Sequence, residues 1–185
     1  MPITHLVVGN FRNLTRADFH PGRVSFIYGE NGSGKTSLLE AVSTLALGRS
    51  FRTRKFRNLI AYSQAELQLF CEFHHDGHPQ KLGTIRKADG SSTFRMNDAA
   101  VLSASDLAAA LPCQIINSDS FSLLEGGPGE RRHFLDWLAF HVKPDFQRCW
   151  GEYNRCLKQR NSLLRSDKMR EPDLEVWNQS LAKLG

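Results

Sequence analysis

The alternation of apolar and polar positions predicts that the first part of the chain is largely β-structure. Apolar runs over residues 3–8 and 16–19 predict two strands joined by a short turn. A third apolar run, over 24–28, leads directly into a glycine-rich loop and also predicts a strand. From residue 35 the spacing of apolar positions becomes helical, and Gly48 is well placed to end that helix. The apolar face predicted for this helix consists of Leu38, Leu39, Val42, Leu45 and Ala46.

The middle of the chain has the pattern of a β-meander. Alternation over 67–73, with Phe70 among the outward positions, predicts one strand, and two further strands are predicted over 82–86 and 93–96. The dipeptides at 76–77 and 89–90 are both Asp-Gly, which is a strong signal for tight hairpin turns. Three consecutive antiparallel strands are therefore expected.

The last part of the chain is predicted to be mainly helical. A short helix over 103–111 and an apolar strand over 113–117 come first. Helices are then expected over 130–142 and 146–164, and another begins near residue 174. Apolar side chains in the helix over 146–164 recur at alternating spacings of four and three, although Arg160 interrupts the series. This seam is under three heptads long, which favours one partner helix packed alongside it.

Composition places the chain among ordinary globular proteins. Of its 185 residues, 41% are hydrophobic and 23% are charged, which fits one domain or one domain with an appendage. No apolar run approaches the roughly 18 residues that a membrane span needs, and the N-terminus lacks the features of a signal peptide. A cytoplasmic protein without a membrane partner is expected. Neither the four cysteines nor the seven histidines show metal-ligand spacing, so reduced thiols are predicted.

Positive charge is concentrated in one short stretch. The net charge of +5 suits an anionic partner but does not identify one. Five basic side chains fall within nine residues and alternate with Phe51 and Phe56. They are Arg49, Arg52, Arg54, Lys55 and Arg57. Two interpretations remain open at this point: a phosphate-binding surface, and a solvated basic face with no specific ligand.

The stretch Gly29–Thr36 matches the phosphate-binding pattern G-x-x-x-x-G-K-[ST] at every position. Its glycines permit close approach of the backbone, and the loop amides are expected to point at a phosphate near the positive end of the next helix. Lys35 is expected to reach the β- and γ-phosphates, and the Thr36 hydroxyl is a candidate Mg²⁺ ligand. The predicted nucleotide-binding residues are Gly29, Glu30, Asn31, Gly32, Ser33, Gly34, Lys35, Thr36 and Ser37.

Hydrolysis of a nucleotide requires a second acidic group, which in P-loop proteins usually ends an apolar strand. No run of four apolar residues in this chain ends in Asp-Glu or Asp-Asp. Asp136 follows an apolar pair, but it lies on a predicted helix. We therefore assign no catalytic residue, and the chain alone is expected to be inactive in hydrolysis.

Five stretches of the sequence resemble the RecF family of bacterial recombination mediators: "LVVGNFRNL", "YGENGSGKTSLLEAV", "LGRSFRT", "SFSLLEGGPGERRHFLDW" and "YNRCLKQRNSLLR". Together they extend over nearly the whole chain. The resemblance implies an α/β P-loop NTPase fold, with an ABC-ATPase-like lobe I, a β-meander and an incomplete C-terminal helical arm. It implies lobe I over 1–125 and, over 126–185, the start of the arm of lobe II. The rest of lobe II, with its signature loop and acidic strand, is expected to lie outside this sequence.

The same resemblance implies a function. Proteins of this family bind ATP with Mg²⁺, dimerise in response to ATP, and are weak DNA-dependent ATPases. They bind DNA at single-strand/double-strand junctions and promote recombinase loading at gaps with RecO and RecR, in repair, replication restart and the SOS response. Carried onto this chain, the resemblance places Arg12 and Asn13 near the nucleotide, with a plain surface turn as the alternative. It favours DNA contact for the basic cluster.

Two other functions remain as alternatives. One is a DNA- or protein-interaction module that keeps the loop without productive use of a nucleotide. The other is a different P-loop enzyme, such as a kinase. The paired arginines, Arg131 and Arg132, and the helical arm argue against a kinase, which would need a lid and an acceptor pocket.

Overall fold

The computed structural model describes residues 2–101, 103–165 and 171–185. The chain divides into two compact units, Met1–Ile115 and Ile116–Gly185. The boundary between lobes expected after residue 125 remains a prediction. Within the described ranges, no helix combines the length and the apolar character needed to cross a bilayer.

An antiparallel sheet of six strands forms the first unit, in the order β2-β1-β3-β4-β5-β6. The strands are β1 (Ile3–Phe11), β2 (Leu14–Phe19), β3 (Glu66–His75), β4 (His78–Lys87), β5 (Ser92–Met96) and β6 (Ala99–Ala100). The predicted first two strands and the three-stranded meander are confirmed. Asp76 and Gly77, which join β3 to β4, both have positive φ, as a tight hairpin turn requires. The short β6 was not predicted.

One face of the sheet packs against two helices, α1 (Lys35–Leu47) and α2 (Ala104–Ala110). Alternate residues of each strand supply this face, as the pleat dictates. The buried apolar side chains are Leu6, Val8, Phe11, Ala41, Leu45, Ala46, Leu59, Leu67, Leu69, Cys71, Phe73, Leu82, Leu107 and Leu111. All four cysteines are free, as predicted. Burial raises the pKa of the Cys71 thiol to about 12, so this side chain is an inert part of the core.

Two predicted strands are wrong. Residues 24–28 pair with no other strand of the described chain, and Val24, Phe26 and Tyr28 are 73%, 89% and 92% exposed. Residues 113–117 likewise form no strand. Both runs have the local composition of strands. A strand, however, also needs a hydrogen-bonding partner, and local composition does not reveal whether one is present.

The buried face of helix α1 only partly matches the predicted one: Leu45 and Ala46 are buried as predicted. Leu39 is exposed, and Leu38 and Val42 are only partly covered. The buried residues of the helix are Ser37, Glu40, Ala41, Ser43, Thr44, Leu45 and Ala46. The Ser43 and Thr44 hydroxyls donate to the Glu40 carbonyl oxygen at 2.9 and 2.7 Å, which satisfies them inside the core.

The second unit is helical, as predicted. Its helices are α3 (Ser122–Glu125), α4 (Pro128–Val142), α5 (Phe146–Leu164) and α6 (Glu171–Leu184). The partner helix expected beside the short seam is α6, which packs against α5. Arg160, the interruption in the seam, donates from Nε to Asn178 Oδ1 of α6 at 2.7 Å. The interruption is therefore a polar contact between the two helices.

A buried carboxylate ties three segments of the first unit together. The Glu40 side chain is fully buried and accepts hydrogen bonds from Arg12 Nη2 (2.7 Å), Arg12 Nε (3.1 Å) and the Ser50 hydroxyl. Arg52 Nη1 lies 3.5 Å away. Desolvation by itself would raise the pKa of Glu40, but the hydrogen bonds from Arg12 and Ser50 outweigh it and hold the pKa below its usual range. The β1–β2 turn, α1 and the loop after α1 therefore share one anchor.

We expect Arg12→Ala to destabilise the chain much more than Arg52→Ala. Arg12 makes two hydrogen bonds to a fully buried carboxylate, and its loss leaves that charge with only the more distant Arg52 as counter-ion, at a cost of about 3 kcal/mol. Arg52 is 47% exposed and more distant, so its loss costs about 1 kcal/mol or less. Urea unfolding of the two variants measures the difference. Equal losses would contradict the assignment of Arg12 as the principal counter-ion.

Acid should weaken the fold through the same carboxylate. Because the pKa of Glu40 is lowered in the folded chain, its contribution is fully present above the unfolded value of about 4.3 and is lost as the pH falls through the lower, folded value. The Glu40→Gln variant should therefore show a smaller loss of stability between about pH 5 and pH 3 than the unmodified chain. Parallel unfolding curves across this range provide the comparison. Identical pH profiles would mean that Glu40 is not the group responsible.

Candidate phosphate-binding site

The glycine loop ends at the free N-terminus of α1. Gly29, Gly32 and Gly34 have φ values of 149°, 84° and 98°. Gly34 occupies the N-cap position, and no side chain caps the helix. The amides of the first turn are therefore available to an anion, at the positive end of the helix dipole.

Gly34 is required for packing as well as for its backbone angle. A Cβ at this position would lie 2.5 Å from Leu14 Cδ2 and 3.4 Å from Asn13 Nδ2. Leu14 begins β2, so the β1–β2 turn lies directly against the base of the loop. A side chain at position 34 would require Leu14 to move and would be strained by the positive φ of 98°.

Lys35 folds back over the loop. Its Nζ donates to the carbonyl oxygens of Gly29 and Glu30 at 2.8 and 2.7 Å. The ammonium group is thus held at the loop by carbonyl oxygens alone, with no carboxylate partner in the described chain. An incoming phosphate would offer this group a stronger, charge-assisted bond.

Asn13 and Ser37 hold the loop in place. Asn13 Nδ2 donates to the Gly32 carbonyl oxygen at 2.6 Å, and Asn13 Oδ1 accepts from the Ser37 hydroxyl at 2.7 Å. Arg12, the neighbouring residue, is occupied by Glu40. The structure therefore brings the predicted residues Arg12 and Asn13 to the loop, where both side chains already bond to other protein groups.

The other predicted loop residues lie between Glu30 and Thr36. The Ser33 amide donates to the Glu30 carbonyl oxygen at 3.2 Å and closes the loop. Asn31 is exposed, and Thr36 is exposed on the first turn of α1, beside Lys35. The Thr36 hydroxyl is therefore accessible to an ion bound at the mouth of the loop. Asp136 lies on α4, as the sequence predicts.

The basic cluster forms the loop that follows α1. Ser50 Oγ accepts from the amides of Arg52 (2.9 Å) and Thr53 (3.1 Å), which orders the start of the loop. Phe51 and Phe56 are half-buried and anchor it. All five basic side chains are at least partly exposed. Apart from Arg52, none of them has an ion-pair partner in the part of the chain that the structure describes.

Sequence reasoning missed Glu40 and Ser50, which connect the two loops. A signal was present: Ser37, Glu40, Ala41 and Thr44 recur at spacings of three, one and three, which is the period of a buried helical stripe. A charged residue in such a stripe requires a counter-ion. Arg12, directly after the first strand, was the candidate.

Comparison with known proteins agrees with this geometry. The family model described as "RecF/RecN/SMC N terminal domain" matches residues 2–128. A "DNA replication and repair protein RecF" from Teredinibacter turnerae is 47% identical over 98% of this chain and 48% of its own length. The RecF of Cellvibrio japonicus is also 47% identical, over 100% of this chain and 51% of its own length. The chain thus spans about half the length of the curated relatives it matches.

Solved structures give the same result. The recombination mediator protein RecF with ATP, from the RecFOR pathway, has a TM-score of 0.83 and 28% identity over 99% of this chain and 50% of its own. An Smc head domain from Pyrococcus yayanosii has a TM-score of 0.62 and 18% identity over 87% of this chain and 37% of its own, which shows a shared fold. The predicted α/β P-loop fold class is confirmed. The chain belongs to the RecF/RecN/SMC N-terminal domain family, and its relatives in that family are RecF proteins.

Proposed function

We propose that this chain provides the phosphate-binding part of an ATP site in a RecF-type DNA repair protein. One observation carries the proposal. A left-handed glycine loop at a free helix N-terminus is held by Asn13, and the ammonium group of Lys35 lies across it on loop carbonyls. This arrangement is a preformed cradle for the phosphates of a nucleotide.

The residues present fit ATP with Mg²⁺. The loop amides and Lys35 would hold the phosphates, and the Thr36 hydroxyl would be one ligand of the metal ion. At position 34 a Cβ would lie 2.5 Å from Leu14 Cδ2, so the loop packs closely against the β1–β2 turn that supports it. Bound Mg²⁺ would neutralise phosphate charge. Arg12 and Asn13 would act mainly by fixing the loop, since both are already bonded to protein groups.

The basic cluster is the proposed DNA contact. Its charges follow α1 directly, and Ser50 and the two phenylalanines fix the backbone that carries them. Arg49, Arg54, Lys55 and Arg57 are free of ion pairs within the described ranges, so phosphate contact would not break an existing bridge. The proposed ligand is DNA at single-strand/double-strand junctions in gaps.

The wider role follows from the relatives. We propose that the protein acts in the cytoplasm in recombinational repair and replication restart, promoting recombinase loading together with RecO and RecR. ATP would drive pairing of two copies, with each nucleotide held between them. Within this chain, no apolar strand ends in a paired acid, so we expect binding of ATP without turnover by the chain alone. The alternative is a module that keeps the loop but does not use a nucleotide.

Replacement of Lys35 tests the cradle. Lys35→Ala should weaken binding of Mg-ATP by about 10–100-fold, because one charged hydrogen-bond donor to the phosphates is removed. Lys87→Ala removes an exposed lysine of β4 and should have no effect. Calorimetric titration of Mg-ATP into each of the two variants and into the unmodified chain measures the three affinities. Equal binding by all three would favour the alternative module.

Turnover by the chain alone provides a separate test. ATP hydrolysis by the unmodified chain should be no faster than by Lys35→Ala, since the sequence supplies no second acid for the metal ion. Release of phosphate from ATP measures it. Clear Lys35-dependent turnover would show that a catalytic acid lies within these 185 residues.

A double substitution in the basic cluster tests the DNA contact without disturbing Glu40. Arg54→Ala with Arg57→Ala should weaken binding to a gapped duplex. The slope of log K against log salt should fall by about 0.9 for each phosphate that these arginines neutralise in the unmodified chain. Arg23→Ala with Arg95→Ala removes the same charge from exposed positions elsewhere and serves as the control. Anisotropy titrations at several salt concentrations give the slopes. An unchanged slope in the cluster variant would exclude these two arginines from the DNA contact.

A further inference from the structure

Two histidines and an aspartate meet on the face of the sheet that is turned away from the core. Strand pairing places Val7 opposite Asp18 and Leu6 opposite Phe19. Extending this register by one residue sets His5 of β1 across from His20, just after β2. Because side chains alternate between the faces of a strand, positions 5, 18 and 20 share the face opposite Leu6 and Phe19.

The donor atoms of this cluster lie at the separations of a small metal site. Asp18 Oδ1 is 2.8 Å from His5 Nε2 and 3.6 Å from His20 Nε2, and all three residues have ligand atoms within 4.8 Å of one another. In a tetrahedral zinc site, metal–ligand bonds of about 2.0–2.2 Å place neighbouring donor atoms about 3.3 Å apart. The observed distances bracket this value.

The other nitrogen of each ring faces an acceptor. His20 Nδ1 lies 3.3 Å from the Thr4 carbonyl oxygen, which can only accept, so in the neutral ring this nitrogen carries the proton and Nε2 is the atom free to bind a metal. His5 Nδ1 lies 3.9 Å from Glu72 Oε2, close to the carboxylate but beyond hydrogen-bond distance. A carbonyl or carboxylate behind the distal nitrogen is the usual support of a metal-binding histidine. Both Nε2 atoms are thus directed toward Asp18.

We propose that His5, Asp18 and His20 form a binding site for a divalent metal ion such as Zn²⁺. In the metal-free arrangement, His5 Nε2 donates to the Asp18 carboxylate. On binding, the proton of His5 moves to Nδ1, toward Glu72, and Nε2 becomes a ligand. The His5 and His20 rings, now stacked with centroids 4.2 Å apart, tilt toward a common ion. Asp18 is 50% exposed and His20 71% exposed, so water completes the coordination.

This ion would join two strands at the end of their hairpin that is remote from the turn. Among the described strands, β2 lies at the edge of the sheet, beside β1. The turn between them carries Arg12 and Asn13, which anchor the glycine loop. A bound ion would therefore strengthen the support of the loop without contacting it. The site is independent of the proposed ATP and DNA contacts.

Titration of the whole chain with Zn²⁺ alone tests this site. We expect one equivalent to bind and to raise the midpoint of thermal unfolding. Binding and the shift should be abolished in His20→Ala and in His5→Ala. The control is His78→Ala, which removes an exposed histidine at the start of β4, outside the cluster, and should behave like the unmodified chain. Co²⁺ in place of Zn²⁺ should give visible absorption bands of a nitrogen- and oxygen-ligated ion, without the charge-transfer band of a thiolate.

Two results would overturn the proposal. The first is a folded, unmodified chain that takes up no Zn²⁺. The second is one equivalent retained in His20→Ala, which would place the ion elsewhere, for example on the cysteines. Because His20 is exposed, its removal leaves the core untouched, and circular dichroism of the variant confirms that the chain remains folded. The test therefore stands even if His5→Ala does not fold.

Discussion

The hydrogen-bonded charge of Glu40 is the interaction on which the site depends. A carboxylate with no contact to water needs a partner, and Arg12 supplies it with two hydrogen bonds. That bond fixes the turn between β1 and β2, and the next residue, Asn13, fixes the glycine loop through Gly32. On its other side, Ser50 connects the same carboxylate to the basic loop. The two candidate binding loops are therefore built on one buried group of α1.

The net positive charge around Glu40 also attracts anions. Two arginines approach a single carboxylate, so one positive charge remains in excess beside the N-terminal half of α1. Lys35 and the residues of the basic cluster add to it. Such an accumulation attracts phosphate groups before any specific contact forms, and salt weakens it. The segment from Lys35 to the basic cluster therefore contributes both to the buried pairing of Glu40 and to the long-range attraction of phosphate groups.

Much of this could be predicted from sequence, because the signals are local. Asp-Gly turns, alternating strands and the glycine loop each depend on a few neighbouring residues, and the structure contains the elements they predict. Contacts between distant segments could not be read in this way. The pairing of Glu40 with Arg12 was not predicted, because the two residues lie 28 positions apart. His5, Asp18 and His20 show no motif spacing, since only the strand register brings them together. The strand expected over 24–28 failed for the same reason: pairing is not a local property.

The extended segment before the glycine loop affects how the chain behaves in solution. Val24, Phe26 and Tyr28 present a bare apolar ribbon, and Ile27 on the opposite side is partly covered, near α1. Backbone groups along such a ribbon are open to pairing with any other extended peptide, including a second copy of the same segment. A net charge of +5 opposes contact between copies only weakly once salt screens it. An exposed apolar ribbon, open to association with another extended segment, therefore lies directly before the candidate phosphate site.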